Sequence, residues 1–275
     1  MTPMTNAKRV ALTGVPETML WPLWQRANET KRRDRLIEDA WSARLVGEIE
    51  YDFRGTFGRP NRGHGIRARY GDDLIKSFLD RIGDKACIIA LGEGLETAYW
   101  RLGEPNIPWL SVDVPEAIET RKQMLPDGAT THALAYSALD HRWMDAIPEG
   151  RIAFISAAGL LMYFEEQNVR DLFTKIGQRF AGAELYFDAI PPIFSKRTVK
   201  GMKVTKAYTA PPMPWGISTD DIAPFLTSIP NIEPIKIQTY AQPFPHAMRP
   251  YNWLSKIGFI RRALAPSLVH ARVVD

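Results

Sequence analysis

Two glycines one residue apart, Gly92 and Gly94, follow directly on the apolar run 86–91 (ACIIAL). Glycine there lets the backbone turn tightly and approach a ligand where any side chain would intervene. About 20 residues further on, Asp113 closes a second apolar run in SVDVPEAI, where a carboxylate can accept both hydroxyls of a ribose. A helix cap would predict the same position, with Pro115 at the helix start, and spacing alone leaves both readings open. A dinucleotide fingerprint wants a third small residue at position 97, and Thr97 is a poor match for a nicotinamide site. Asp188 ends the fifth apolar run on the ligand side of the expected sheet and is read as a substrate-facing polar group. Tyr163, Tyr208, His132, His141 and His246 are the other side chains that could take a proton from an acceptor. With no histidine pair at i and i+4 and no cysteine cluster, the chemistry is read as metal-independent. The single cysteine, Cys87, lies among Ala86, Ile88 and Ile89 and reads as a small buried hydrophobe.

The elements that must position these residues follow from the apolar pattern. Runs at 86–91, 107–112, 132–136, 151–156 and 184–189 alternate with helices, the mark of parallel strands joined by crossovers. Val169, Leu172, Phe173, Ile176 and Phe180 recur near every 3.6 residues and predict a helix over 165–181. The result is an α/β chain with an open, doubly wound sheet whose ligands bind outside the carboxyl ends of the strands. Ahead of it, 29–46 is predicted as one amphipathic helix with Leu36, Ile37, Ala40, Trp41 and Leu45 inward, 51–65 as a loop, and a second helix buries Leu74, Ile75, Phe78, Leu79 and Ile82. Residues 235–240 and 268–274 read as a final pair of strands, antiparallel at the sheet edge.

Residues 191–219 interrupt the alternation with five prolines and with Lys196, Arg197, Lys200, Lys203 and Lys206, without one acid. So long an insertion reads as a lid, set at 191–230. It is expected to cover an aromatic pocket of Met162, Tyr163, Phe164, Tyr208, Met213 and Trp215, its cations favouring an anionic acceptor. Ser218 and Asp221 form an expected capping box for a short helix that Pro224 bends or ends. Residues 1–83 are assigned as an N-terminal helical cap and 84–275 as the catalytic domain, one structural unit in all.

Composition narrows the class. Apolar residues make up 45% and charged residues 24%, and 35 basic against 31 acidic residues give a net charge of +4 without the basic blocks of a nucleic-acid binder. No run has the length of a membrane span and residues 1–30 hold no signal-peptide core, so the expected location is the cytoplasm, with no membrane partner.

LGEGLETAYWRL resembles the LGxGLDTRxxRL motif of the leucine carboxyl methyltransferase superfamily, and SVDVPEAIETRKQML its EVDLPEVIxxKRxLL stretch. SALDHRWMDAI, ISAAGLLMYFEEQNV, ELYFDAIPP and TKAYTAPPMPWGI are similar to the tetracenomycin-type O-methyltransferase branch. The resemblance covers about residues 66–220. It implies a Rossmann-like class I methyltransferase sheet that holds S-adenosylmethionine, releases S-adenosylhomocysteine and methylates a carboxyl or phenolic oxygen of a small, polyketide-like molecule. It further implies that Arg67, in RARYGDD, grips the methionine carboxylate, that Gly92 and Gly94 form the cofactor turn, that Asp113 binds the ribose and that Ala138 and Leu139 border the adenine. Glu93, Val114 and Ala157 complete the expected cofactor contacts; Asp188 and Tyr163 are the expected catalytic groups; Met162, Tyr163, Tyr208 and Trp215 are the expected substrate contacts. The sequence departs from the family pattern at Glu93, Glu96, Ala98 and Ala158, which puts cofactor affinity in question. A non-catalytic cofactor-binding regulator, a nicotinamide-dependent oxidoreductase and a homodimer stay open.

Overall fold

The apolar runs form five strands: β1 (Ala86–Leu91), β2 (Trp109–Asp113), β3 (Thr131–Ala135), β4 (Ile152–Ala157) and β5 (Glu184–Ala189). β1 and β5 are buried along their whole length, which is why they read as unbroken runs and not as alternating ones. β2 starts after Pro108, whose nitrogen has no hydrogen to give a ladder, and so falls short of the expected residue 107. With β6 (Ile232–Thr239) and β7 (Ser267–Val273) they make a seven-stranded sheet in the order β3-β2-β1-β4-β5-β7-β6. The first five strands are parallel, and β7 runs antiparallel between β5 and β6. Strand order reverses between β1 and β4, and a cleft opens there beyond their carboxyl ends. This computed structural model describes residues 14, 16–248 and 257–275, so residues 1–13 and 15 of the segment read for a signal-peptide core lie outside them.

Successive residues of a strand face opposite sides, and two cores result. Ile89, Leu91 and Leu110 pack with Val169, Leu172, Phe173 and Ile176 of a helix at Glu166–Arg179. Ile88, Trp109 and Phe154 pack with Ile66, Ile75 and Phe78 of the long helix at Gly63–Ile82. Cys87 is fully buried in the first core, and that burial pushes its thiol up to about 11, as the inert reading requires.

The N-terminal region differs from expectation. Helix α1 (Leu20–Thr30) precedes α2 (Ala40–Glu48), so 29–46 is not one helix. Asp39 breaks it: its carboxylate caps α2 through the Ser42 N–H at 2.9 Å, and its own N–H is held by Thr30 Oγ1 at 2.9 Å. The 51–65 segment contains a short α3 (Phe53–Phe57), capped by Asp52, before α4 (Gly63–Ile82). Leu20, Leu23, Leu45, Phe53 and Phe57 join Leu95, Met124 and Tyr208 in a third cluster that seats these helices against the turn following β1.

Beyond β1 come α5 (Ala98–Arg101), α6 (Pro115–Met124) and, after β4, α7 (Glu166–Arg179). Pro115 opens α6 as expected. The insertion holds α8 (Pro192–Val199) and an extended return that ends at α9 (Ile222–Thr227); α10 (Gly258–Leu264) precedes β7. Pro224 sits in the first turn of α9, where a missing N–H costs nothing, so it neither bends nor ends the helix. The Ser218 hydroxyl bonds the Asp221 carboxylate at 2.5 Å, and Asp221 makes no side-chain cap.

Candidate active site

The turn after β1 has the geometry its glycines suggest. Gly92 and Gly94 have φ of 64° and 49°, and a Cβ on them would lie 2.7 Å from Leu160 and 2.9 Å from Met19. At the neighbouring strand tip, Asp113 accepts the Gly94 N–H with one oxygen and the Val114 N–H with the other, each at 2.8 Å. Neither bond caps the helix that Pro115 opens, so the cap reading is set aside, and each oxygen keeps a lone pair for another donor. Burial pushes the Asp113 carboxyl above its usual range, against the pull of those N–H groups and of Arg121.

Glu93 does not block the cleft. Its carboxylate turns beneath the loop to accept the Trp109 indole N–H at 3.0 Å and to face Arg121 at 3.1 Å. Glu96 pairs with Arg26 at 2.9 Å and with Arg101 at 2.5 Å. Both departures from the family motif thus serve buried arginines.

At the other end of the cleft, Arg67 reaches up from α4. Its guanidinium lies 3.4 Å from Asp188, at the tip of β5, and the Asp188 carboxylate also accepts the Tyr240 hydroxyl at 2.7 Å and the Gly159 N–H. Three donors on one carboxylate make it a holder of Arg67 and Tyr240. Tyr163 lies alongside; burial raises its phenol, with the Thr18 hydrogen bond and Arg67 pulling the other way, so it keeps its proton near neutral pH. His64, one turn before Arg67, is also on the wall. Burial, reinforced by the Arg67 and Arg26 charges, pushes its imidazole well below the usual range, which leaves it neutral; it makes no hydrogen bond among the described residues.

A cavity of about 340 Å³ runs from Asp113 and the glycine turn past Arg67 to an apolar chamber under the insertion. Met19, Trp21, Met162, Phe194, Met202 and Met213 line that chamber, with Thr198 and Ala210. Expected residues Arg67, Gly92, Glu93, Gly94, Asp113, Met162, Tyr163 and Asp188 therefore meet around one space. Val114, Ala138, Leu139 and Ala157 do not line it: Ala138 and Ala157 are core residues, and the Ala138 carbonyl accepts the Trp143 indole N–H. Two substrate assignments need correction. Tyr208 packs on Phe57 at 5.1 Å in the N-terminal cluster, and Trp215 packs on Phe225 at 5.5 Å in the sheet core. The insertion's cations are corrected as well, since Lys196, Arg197, Lys200, Lys203 and Lys206 are all exposed and none reaches the cavity. His132, His141 and His246 are also away from it. Sequence reasoning missed His64, Tyr240, Arg26 and Arg121. For Arg121 a signal existed, because it falls in the stretch that resembles the family's basic motif.

Residues 20–177 match the sequence profile of the leucine carboxyl methyltransferase family, which takes in α1 and α2, ahead of the 66–220 over which the motifs resemble it. The tetracenomycin polyketide synthesis O-methyltransferase TcmP of Streptomyces glaucescens is 29% identical over 211 residues, 76% of this chain and 77% of its own. The S-adenosyl-L-methionine-dependent methyltransferase dpfgK of Gibberella zeae is 28% identical over 203 residues, 66% of this chain and 68% of its own. Among solved structures, a candidate methyltransferase of Thermobifida fusca matches with a TM-score of 0.55 and 14% identity, covering 91% of this chain and 94% of its own. That likeness bears on fold and agrees with a Rossmann-like class I sheet.

Proposed function

The chain belongs to the leucine carboxyl methyltransferase family, and from that premise we propose that it moves a methyl group from S-adenosylmethionine to a carboxyl or phenolic oxygen of a small, apolar, aromatic molecule, releasing S-adenosylhomocysteine. With that membership the nicotinamide alternative lapses. The observation that carries the proposal is one cavity joining the Asp113 carboxylate, the glycine turn and the Arg67 guanidinium to a chamber lined by methionine and aromatic side chains.

The residues present fit the cofactor. Asp113 would hold the ribose hydroxyls, Arg67 the methionine carboxylate through a guanidinium fork, and the turn at Gly92 and Gly94 the chain between them. When bound, S-adenosylmethionine supplies a methyl on a positively charged sulfur that an oxygen lone pair displaces in line. The protein's part is alignment and exclusion of water. Asp188 acts on this account as a positioning residue, since it holds Arg67 against the cleft. Met162, Met202 and Met213 offer flexible, polarisable walls, which suit flat apolar acceptors of varied outline.

A carboxylate acceptor arrives with its lone pair ready, whereas a phenol must lose a proton. Asp188 is engaged, Tyr163 is itself protonated, and the burial and arginine charges that keep His64 neutral also oppose its taking a proton, so the cavity suits a carboxylate better than a phenol. The test is a panel of phenols, aromatic acids, aromatic amines and aliphatic acids incubated with methyl-deuterated cofactor and read by product mass. Labelled ethers or esters from aromatic members support the proposal. Label confined to nitrogen or to non-aromatic acceptors contradicts it.

A further inference from the structure

In the glycine turn the carbonyl groups of Glu93, Gly94, Leu95 and Glu96 are each taken by a donor, and two of the donors are arginines from distant elements. Glu93 O accepts the Glu96 N–H at 2.9 Å. One nitrogen of Arg121, from α6, donates to Gly94 O and to Glu96 O, each at 2.7 Å. Arg26, from α1, donates to Leu95 O at 2.7 Å. In a planar trans peptide the carbonyl and the following N–H point opposite ways. Fixing Gly94 O on Arg121 therefore turns the Leu95 N–H away from Arg121. Gly94 and Leu95 line the cavity and Arg121 does not. The Leu95 N–H and the Gly92 carbonyl have no hydrogen-bond partner among the described residues.

We propose that Arg121 is a positioning residue for the cofactor, seconded by Arg26: by holding the turn's carbonyls from behind, it sets the peptide planes that present the Leu95 N–H and the glycine backbone to the ligand. This rests on the methyltransferase reading. It also accounts for the two acids in GEGLE. Glu93 faces the Arg121 guanidinium at 3.1 Å and Glu96 faces that of Arg26 at 2.9 Å, so each arginine has a counter-ion drawn from the turn it holds. An arginine buried without one would be costly. Trp100 adds an aromatic face 5.5 Å from Arg121.

The experiment is calorimetric titration of the full chain and its variants with S-adenosylhomocysteine, alongside melting curves and steady-state kinetics. Arg121→Gln should raise Kd about 10- to 100-fold, since hydrogen bonds from a charged donor are lost. KM for the cofactor should rise with it while kcat at saturation stays close to wild type. Arg121→Lys, with a compact ammonium in place of the fork, should fall between, and Lys122→Gln, exposed on the same helix, should change nothing. Glu93→Gln tests the counter-ion and should weaken binding less than Arg121→Gln. Should Arg121→Gln fail to fold, Arg121→Lys and Glu93→Gln at wild-type Tm decide the matter. Wild-type Kd in the folded variants, or a loss confined to kcat, overturns the positioning role. A wild-type chain that bound no S-adenosylhomocysteine would contradict the methyltransferase reading instead.

Discussion

Asp113 spends one lone pair of each carboxylate oxygen on a backbone N–H and keeps the rest for a ligand, so Asp113→Asn should keep the fold and weaken the ligand. Loss of charge-assisted bonds predicts a Kd for S-adenosylhomocysteine higher by about 10-fold or more, read by calorimetry. Because burial raises the Asp113 carboxyl, wild-type affinity should begin to fall on acidification at a higher pH than an ordinary aspartate would give, and the Asn variant should lose that dependence. His64→Ala tests whether the buried imidazole takes a proton: with its charged form disfavoured by burial and by Arg67 and Arg26, the change should affect phenol and carboxylate acceptors to a similar extent. A loss of about 100-fold confined to phenols would put His64 on the proton path. At this scale the sequence was most legible where chemistry sits next to a strand end, as with Gly92, Gly94, Asp113 and Asp188. It was least legible where a residue acts across a long separation. Arg26 meets Leu95 69 residues away, and nothing local to QRANE announces that contact. Tyr208 and Trp215 misled because an aromatic side chain in an insertion serves a core as readily as a pocket.

The insertion covers part of the cavity, α8 putting Phe194 and Thr198 on it while Lys196, Arg197 and Lys200 face water. It is also fastened. Ser195 bonds the Pro214 carbonyl at 2.9 Å, Thr205 bonds the Thr56 carbonyl of α3 at 2.9 Å, and Tyr208 is wedged in the N-terminal cluster. Removing charge at Lys200 and Lys203 should therefore leave KM for anionic and neutral acceptors alike within about 2-fold, as expected of exposed and screened charges. A selective loss for anionic acceptors would mean that the lid turns those lysines inward during turnover. The parallel strands were readable because each is a short buried run between helices. The break between α1 and α2 was not, since periodicity alone continues across 31–39 and the break is made by Asp39, whose carboxylate caps α2 while Thr30 Oγ1 of α1 holds its N–H.

Across the whole molecule, the N-terminal helices are clamped to the cofactor half by buried charges. Asp39 accepts from Arg26, Arg101, Ser42 and Thr97, and Arg101 grips Asp72 through two bonds of 2.9 Å. We expect one cooperative unit. Asp39→Asn should lower Tm by roughly 10 °C in a single transition, taking about 3–5 kcal/mol for a broken buried pair and about 2–4 °C per kcal/mol. Two separated transitions would show that residues 1–83 and 84–275 melt independently. Burial works to raise the Asp39 carboxyl, but Arg26 and Arg101 outweigh it and hold it below the ordinary 3.8. Its contribution to stability is therefore present above that value and lost as pH falls through the lower folded one, so the Asn variant should show a shallower loss of Tm in acid.

The most direct measurement is a crystal structure of the chain with S-adenosylhomocysteine. The account predicts the nucleoside in the cleft above β1 and β4, its ribose hydroxyls on Asp113, its carboxylate on Arg67 and its sulfur facing the chamber of Met162, Met202 and Met213. Ligand density elsewhere, or a ribose out of reach of Asp113 with Arg67 still turned to Asp188, would contradict it.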